Sequence, residues 1–531
     1  MRRARPKKPR PAQYEPGPEA SYFSASWLHA GLVVLFFAVF FAVFSRTLAD
    51  PDLWGHVKFG ESLWQTGNPT LSDTYSYLTG DQPWINHEWL SEALFYLAFA
   101  IAGPSGLVAL KTLIALLILA ILFVSLYRQL GDFLLTGILL ILGNFILLLY
   151  LGSIRPQMFT FILFLLVLVI IKNAEQGRFR SLWWLPPMFI IWVNLHGGVL
   201  AGLGIFLAWV ISFIGIGALK KGRLDLLSAS NRQILIVFVL SLMGTLVNPY
   251  GPKLLIFLLG TATVPRPDIS EWNPVSYASL DGGAYIVLLT FYLGGLIFSA
   301  RERSPTLVIL FLCSAILPII ARRHTPLFGL TAAVLVADHA GDVWKRWLSR
   351  INSSEVSQKR LVKFSITGLN VGVALVLVIA SIGNLECPRL TKGYYPVRAV
   401  HLLKHSGVAG NLAVHFDWGE YALWHLSPNI KVSVDGRRET VYSEEIYRQN
   451  LNFMSGRSEW NKILEAYPTE MVLISKKFPV FNLMKLKPGW ELIYEDPVSA
   501  LFVKEGSSLS KQISETPMPQ VASDGAGLCF P

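Results

Sequence analysis

The sequence predicts an α-helical polytopic membrane protein of about eleven transmembrane helices with a C-terminal α/β soluble domain, on three observations. Its 531 residues are 53% hydrophobic and only 15% charged, with a mean hydropathy of +0.46, too apolar for an ordinary soluble chain. Apolar runs of roughly 17 to 25 residues, long enough to cross hydrocarbon as helices, recur up to residue 385. Beyond that point the pattern changes to short alternating strand and helix candidates.

The runs fall at 27 to 48, 105 to 126, 133 to 152, 157 to 172, 181 to 195, 198 to 219, 233 to 249, 283 to 300, 305 to 321, 326 to 340 and 364 to 385. Two of them, 181 to 195 and 326 to 340, are short, and the piece 253 to 262 reads as re-entrant or interfacial. The first run is too long for a signal peptide and lacks a small-residue cleavage site, so it reads as a retained anchor. Arg2, Arg3, Arg5, Lys7, Lys8 and Arg10 precede it. Threading the spans alternately puts Lys172, Arg178 and Arg180 on the side of that arm, together with Lys220, Lys221, Arg223, Arg232, Arg301, Arg303, Lys345 and Arg346. The positive-inside rule then predicts a cytoplasmic N-terminus in an inner or plasma membrane, with everything after residue 386 outside. The net charge of +11 is accounted for by these loops and anionic lipid, so no nucleic-acid partner is called for. Of three cysteines, Cys313 sits in a span while Cys387 and Cys529 both fall outside, where they are able to pair.

Residues 1–20 form a basic, Pro-rich arm expected to be disordered. A membrane domain over 21–385 follows, with a large first outer loop at 50–100, then an α/β domain over 386–505 and a disordered tail at 506–531. Within the loop, Asp52 to Trp64 has the spacing of an amphipathic helix lying on the membrane, and a second helix starts near Asn86. In the domain, strands are expected at Leu412 to Phe416, Lys431 to Val434, Met471 to Ile474, Glu491 to Tyr494 and Ala500 to Lys504. Helices are expected at Pro396 to His405, Glu420 to Leu426, Ser443 to Met454, Trp460 to Tyr467 and Phe481 to Lys485, a layered arrangement with part of its sheet parallel.

Polar clusters at the outer ends of the spans carry the functional signal, because ionisable groups beside hydrocarbon are costly. Asp50-Pro51-Asp52 and His56 open the first outer loop, and His87-Glu88 closes it. Two carboxylates and an imidazole so close together suit a general base or a divalent cation, Mg or Mn, on Asp50 and Asp52. The structural alternative is that one of these aspartates caps a helix and Trp54 sits in the aromatic belt. Asn194-Leu195-His196-Gly197-Gly198 joins two spans with almost no loop, leaving His196 near the outer surface. Asn248-Pro249-Tyr250-Gly251 reads as turn chemistry, as does Glu271-Trp272-Asn273-Pro274, in which Glu271 is the candidate.

This layout resembles the GT-C superfamily of integral-membrane glycosyltransferases, which includes oligosaccharyltransferase catalytic subunits, protein O-mannosyltransferases and the aminoarabinose transferase of lipid A. In those families an acidic motif opens the first outer loop, as Asp50-Pro51-Asp52 does here, and a polar motif precedes the next span, as Asn86-His87-Glu88-Trp89-Leu90 does. The resemblance implies Asp52, Asp50, His56, His87 and Glu88 as catalytic residues. It also implies a polyprenyl-phosphate-linked sugar donor, whose phosphate would meet Arg155, Arg322, Arg323, His324 and His196, since guanidinium bonds phosphate bidentately. Phe416-Asp417-Trp418-Gly419-Glu420-Tyr421 is similar to the acceptor-binding signature of oligosaccharyltransferases in its aspartate, one aromatic and glycine. Asp417, Trp418, Arg437, Arg438 and Glu271 are the acceptor-side candidates. Read without the resemblance, Asp417 ends a strand and caps the next helix, and Arg437 and Arg438 are exposed guanidiniums on a turn.

The function expected from these residues is transfer of a sugar from a polyprenyl-linked donor to a glycan, lipid or protein acceptor at the outer face. The alternatives are a transporter or flippase of a lipid-linked glycan, which calls for ionisable groups near mid-span and paired broken helices, and a non-catalytic glycan-binding membrane protein.

Overall fold

The computed structural model describes residues 27–80, 82–351, 360–521 and 527–531, and the basic arm at 1–20 lies outside them. The apolar runs form helices, the form in which a single segment satisfies its own backbone in hydrocarbon. In chain order the helices of this part of the chain are α1 (Trp27–Phe44), α2 (Leu53–Thr66), α3 (Trp89–Leu130), α4 (Phe133–Tyr150), α5 (Gln157–Glu175), α6 (Leu185–Leu195) and α7 (Val199–Lys221). They continue with α8 (Ala229–Gly244), α9 (Pro252–Thr263), α10 (Leu280–Phe298), α11 (Pro305–Ile320), α12 (Thr325–Leu335), α13 (Ala337–Ile351) and α14 (Arg360–Ser381). Among the described residues, six stretches are long and apolar enough to cross a membrane: α3, α4, α5, α7, α10 and Thr367–Leu385. The two short runs are the eleven-residue α6 and α12. Every residue of α12 is buried, and it packs on α5, α10 and α11, so its neighbours are helices rather than lipid.

The first loop folds as its periodicity predicts. Helix α2 buries Leu53, Trp54, Val57 and Phe59 against the first part of α3 and against the C-terminal domain. Helix α3 bends where Ala102 and Gly103 leave helical geometry just ahead of Pro104, because proline cannot continue the hydrogen-bond ladder. Trp54 is not a membrane-belt residue: it is fully buried, with its ring against Tyr395, Tyr421 and Phe530.

The domain runs α15 (Val397–Ser406), β1 (Gly410–Val414), α16 (Gly419–Leu426), β2 (Ile430–Val432), α17 (Arg438–Val441), α18 (Glu444–Ser455), α19 (Lys462–Glu465), β3 (Met471–Ser475), α20 (Val480–Lys485), β4 (Trp490–Glu495), β5 (Ser499–Lys504) and α21 (Ser508–Ser514). Its sheet has the order β2-β1-β3-β5-β4, parallel across β2, β1 and β3 and antiparallel from β3 to β5 to β4. All of β3 and most of β5 are buried, which is why they read as continuous apolar runs rather than alternating ones. One sheet face continues into the membrane-domain core. The other closes over a separate cluster around Phe453, Ile474 and Phe502.

Three features bind the domain to the helices. Residues 75–77 run beside β2, with Tyr77 N–H donating to the Val432 carbonyl and Val432 N–H to that of Tyr75, so the free sheet edge is covered. Arg437 is buried, paired with Asp435 at 2.6 and 2.9 Å and with Asp73 at 2.8 Å, inside a box of Phe59, Tyr75 and Trp84 rings. The described residues of the tail are ordered where disorder was expected: α21 packs on α15, Cys529 is disulfide-bonded to Cys387, and Phe530 inserts among Trp54, Phe99 and Trp424.

Removing a buried ion-pair partner leaves the others uncompensated, at about 3–5 kcal/mol. Arg437→Ala is therefore expected to lower the thermal midpoint sharply and to release the C-terminal domain to limited proteolysis as a discrete fragment. A wild-type melting curve and digestion pattern would show the contact to be dispensable. The 387–529 bond closes a sequence separation of 142 residues, so Cys529→Ser is expected to cost about 2–4 kcal/mol. The check is a lowered midpoint, together with a mobility difference between reduced and unreduced wild-type protein that the variant lacks.

Candidate active site

A cleft of about 580 Å³ lies between the membrane helices and the C-terminal domain. The segment after α1 is clamped before it reaches the cleft, Leu48 N–H donating to the Gly152 carbonyl and Ala49 N–H to that of Arg389. Asp50 Oδ1 then accepts the Asp52 N–H at 3.2 Å. Asp52 stands at the start of α2 but makes no side-chain cap, so the capping alternative is not realised there. About a third of its side chain, 32%, is open to the cleft. Burial and the neighbouring Asp50 charge lift its carboxyl to about 7, although Arg155 and His56 pull the other way.

Two close approaches fix what faces Asp52. A Cβ on Gly436 would lie 2.4 Å from Asp52 Oδ1, and one on Gly55 would lie 2.2 Å from the Glu420 carboxylate, so only glycine lets α2 and the domain meet here. Glu420 accepts the Gly55 N–H at 3.0 Å. Its burial, with Asp52 and Asp435 nearby, raises its pKa well above the usual carboxylate range.

Arg155, expected on the donor phosphate, is engaged otherwise. Its Nε meets Asp50 Oδ2 at 2.7 Å, one terminal nitrogen meets Asp52 Oδ2 at 3.4 Å and the other meets Glu271 Oε2 at 3.3 Å. The Arg322-Arg323-His324 triplet divides. Arg322 turns to Asp281 at 3.3 Å, away from the cleft, whereas Arg323 lines it, lying 4.5 Å from the Trp272 ring and 4.0 Å from Glu271. His324 lines an adjoining groove, and burial followed by Arg323 lowers its pKa to about 4.

The second polar motif is built around Glu88. Trp89 Nε1–H donates to Asn194 and Ser91 Oγ–H to the Leu195 carbonyl, which brings the tight α6–α7 turn beside the start of α3. His196 Nδ1 accepts from Gly198 N–H at 2.9 Å and from the Thr160 hydroxyl at 2.8 Å, that hydroxyl itself receiving Trp192 Nε1–H. The ring proton is thereby assigned to Nε2, 3.4 Å from Glu88 Oε1. Burial keeps His196 neutral, with its pKa down to about 3 despite Glu88. His87 Nε2 lies 3.6 Å from the same oxygen. These histidines, with His56 and Arg323, overcome burial and hold the Glu88 pKa below its ordinary value. His56 is different again: burial opposes its charge, but the Glu92 hydrogen bond and the Glu88, Glu92 and Asp52 carboxylates carry it up to about 9.

On the domain side, Asp417 does not cap α16, which starts without a side-chain cap; its Oδ2 accepts the Tyr394 hydroxyl at 2.6 Å. Trp418 is buried in the core and donates Nε1–H to the Tyr394 carbonyl. Arg437 and Arg438 are not exposed: Arg437 is in the lock described above, and Arg438 lies 3.7 Å over Tyr447 and 2.7 Å from Asp268. Arg438, Glu271 and Asp417 line the cleft. So do Asp268, Tyr394, Glu420 and Tyr447, which the sequence reading missed. Only Glu420 carried a signal, as an acid next to the Asp-Trp-Gly piece. Among the described residues no three His, Cys, Asp or Glu side chains converge as a metal-binding set.

The adjoining groove, about 180 Å³, shares His87, Gln157, His196, Trp272 and Arg323 with the cleft. Beyond them it is mainly apolar, between Phe161, Leu200, Leu258 and Leu327 of α5, α7, α9 and α12.

No family model matches the sequence, and no curated protein matches it. Solved structures do match the fold. The Archaeoglobus fulgidus oligosaccharyltransferase tethered to an acceptor peptide superposes with a TM-score of 0.54 at 13% identity, over 86% of this chain and 70% of that one. ArnT from Cupriavidus metallidurans bound to undecaprenyl phosphate gives 0.51 at 11% identity, over 91% and 98%. The mycobacterial arabinofuranosyltransferase AftD gives 0.50 at 16% identity, over 90% and 41%. The likeness to all three gives this chain a GT-C-like fold.

Proposed function

We propose that the protein is a membrane glycosyltransferase that moves a sugar from a polyprenyl-phosphate-linked donor to a glycan, lipid or protein acceptor, with its cleft on the outer face of the cell membrane and its N-terminus in the cytoplasm. The observation that carries this reading is a pair of adjoining cavities of different chemistry that share lining residues. Its polar half presents Asp52, its apolar half is a slot between helices, and Arg323 and His196 stand at the junction. A lipid phosphate sugar has the same division, with an apolar chain, an anionic joint and a polar head. The ligands named in the solved structures, undecaprenyl phosphate on ArnT and dolichol phosphate on the archaeal oligosaccharyltransferase, are lipid phosphates without a sugar, the part of such a donor that leaves after transfer.

In this mechanism the prenyl chain lies in the groove and the phosphate faces Arg323 and the neutral imidazoles of His196 and His324. The acceptor hydroxyl or amine enters from the domain side, past Asp417 and Tyr394. Asp52 Oδ1 takes its proton as its heteroatom bonds the anomeric carbon. The bond from that carbon to the phosphate oxygen breaks, and the lipid phosphate leaves with the electron pair. A base titrating near neutrality suits this task, and a fixed guanidinium stabilises the growing phosphate charge without reorganising. Mid-span ionisable pairs, which a flippase would need, do not carry the cleft: its charges sit at helix ends.

The test is transfer from a synthetic polyprenyl-phosphate sugar by purified protein. Asp52→Asn is expected to lower the rate about 10²–10⁴-fold, the usual worth of a general base. Arg323→Ala is expected to weaken donor binding about ten- to hundredfold, the worth of a charge-assisted hydrogen bond. Full transfer by both variants would end the enzymatic reading.

Because Asp52 acts deprotonated, kcat/KM should rise with pH through about 7 and flatten above it. Stability runs the other way. A folded pKa of about 7 against an ordinary 3.8 means that the folded chain binds this proton more tightly. The group's contribution is present below pH 4 and lost as pH climbs through 7. Asp52→Asn is thus expected to melt higher than wild type at pH 8 while losing the pH-dependent limb of activity. A variant that melts lower there, or keeps the limb, would remove Asp52 from the role of base.

A further inference from the structure

We infer that Arg155 is the resident cation of the acidic site, filling the place between Asp50, Asp52 and Glu271 that a divalent ion would otherwise take, so that transfer runs without metal. A metal draws several oxygens to one centre at about 2.0–2.6 Å. Here the oxygens are instead spread around a plane, each on a different nitrogen of one guanidinium, at 2.7, 3.4 and 3.3 Å. Arg155 reaches this position because its loop is stapled to the segment before Asp50 by the Leu48 to Ser153 bridge. Pro156 follows it at the start of α5. Only 26% of its side chain is exposed. Burial opposes its charge, yet Asp50, Asp52 and Glu271 raise its pKa beyond the ordinary guanidinium value, so it stays a cation at every working pH.

The arrangement also separates the two aspartates. Asp50 uses one oxygen for the Asp52 N–H and the other for Arg155, which leaves it an orienting role. Asp52 shares Oδ2 with Arg155 and keeps Oδ1 toward Gly436, which makes it the base. Arg155 is therefore a positioning residue: it aims Asp52 and offsets part of the acidic charge without touching the reacting atoms.

The side-chain arrangement stands by itself, while the statement about transfer rests on the proposed glycosyltransferase reading. The experiment has two arms for that reason. Mn²⁺ binding to the full-length protein in detergent is followed by electron paramagnetic resonance, with monodisperse elution as the check on folding. The wild type is expected to bind no Mn²⁺ at the site, Arg155→Ala to gain one bound ion, and Arg155→Lys, which restores a point charge, to bind none. In the transfer arm, a chelator is expected to leave the wild-type rate unchanged. Arg155→Ala should fall about hundredfold or more and recover in part with added millimolar guanidinium, on the scale of lost positioning. One Mn²⁺ bound by the wild type and abolished by Asp50→Asn would overturn the proposal, as would wild-type transfer that stops with chelator and returns with Mn²⁺. A chain that transfers no sugar would fail only the second arm, and the first would still decide what sits between the carboxylates.

Discussion

The contact on which the rest of this structure depends is the burial of the Arg437 guanidinium between Asp73, Asp435 and the rings of Phe59, Tyr75 and Trp84. A buried ion pair is seldom worth much as net stability, since desolvation offsets most of the attraction. Its value here is geometric. Asp73, Phe59, Tyr75 and Trp84 belong to the loop that follows α1, and Asp435 and Arg437 to the turn after β2, so satisfying one guanidinium sets the position of loop against domain. Gly436 lies inside that turn, and the same lock brings its open face against Asp52. The same contact also forms part of the cleft wall, since Phe59, Trp84 and Arg437 line the cavity together with Asp52.

Within the cleft the charges are graded rather than mixed. Asp50, Asp52, Glu271 and Arg155 form a compact acidic group with one internal cation, and burial raises the pKa of Glu420 beside it. Arg323 stands at the other end, against Trp272, where the cavity turns apolar. In the proposed transfer, an acceptor that must lose a proton and a leaving group that must accept negative charge call for opposite fields within one molecule's length. The separation of Asp52 from Arg323 by the Arg155 and Glu271 pair supplies that gradient from fixed side chains.

The sequence announced the architecture well because the signals were local. The apolar helices, the amphipathic spacing of α2, and all five strands could be read from periodicity, with boundaries within a few residues, whereas about eleven spans were expected and six described stretches are long and apolar enough to cross a membrane. What was lost was whatever depended on contacts distant in sequence. Asp417 and Asp52 looked like helix caps because each precedes a helix, but the Tyr394 hydroxyl and the cleft claim them instead. Arg437 and Arg438 looked exposed because they sit on a turn, and nothing nearby revealed Asp73 or Asp268. Arg322 and Arg323 are adjacent, yet the short 3-10 turn at Arg322–His324 points one to Asp281 and the other into the site. The tail looked disordered from its composition, while its order comes from Cys387 and the aromatic slot around Phe530.

The histidines show how the same loop organisation sets protonation. His196 gives its Nδ1 as an acceptor to Gly198 N–H and the Thr160 hydroxyl, so a second proton would have to displace a donor, and burial makes the charge costly besides. His56, on α2, faces the carboxylate of Glu92 with Glu88 and Asp52 near enough to favour its charge. One imidazole is therefore neutral beside the phosphate end and the other is a cation beside the acidic end. In the proposed reaction a neutral donor at the lipid phosphate would bind it without holding the released product as a second full cation would. A cation at the acidic end lowers the cost of Asp52 and Asp50 being ionised together, the state that the proposed base must reach before it can take a proton from an acceptor.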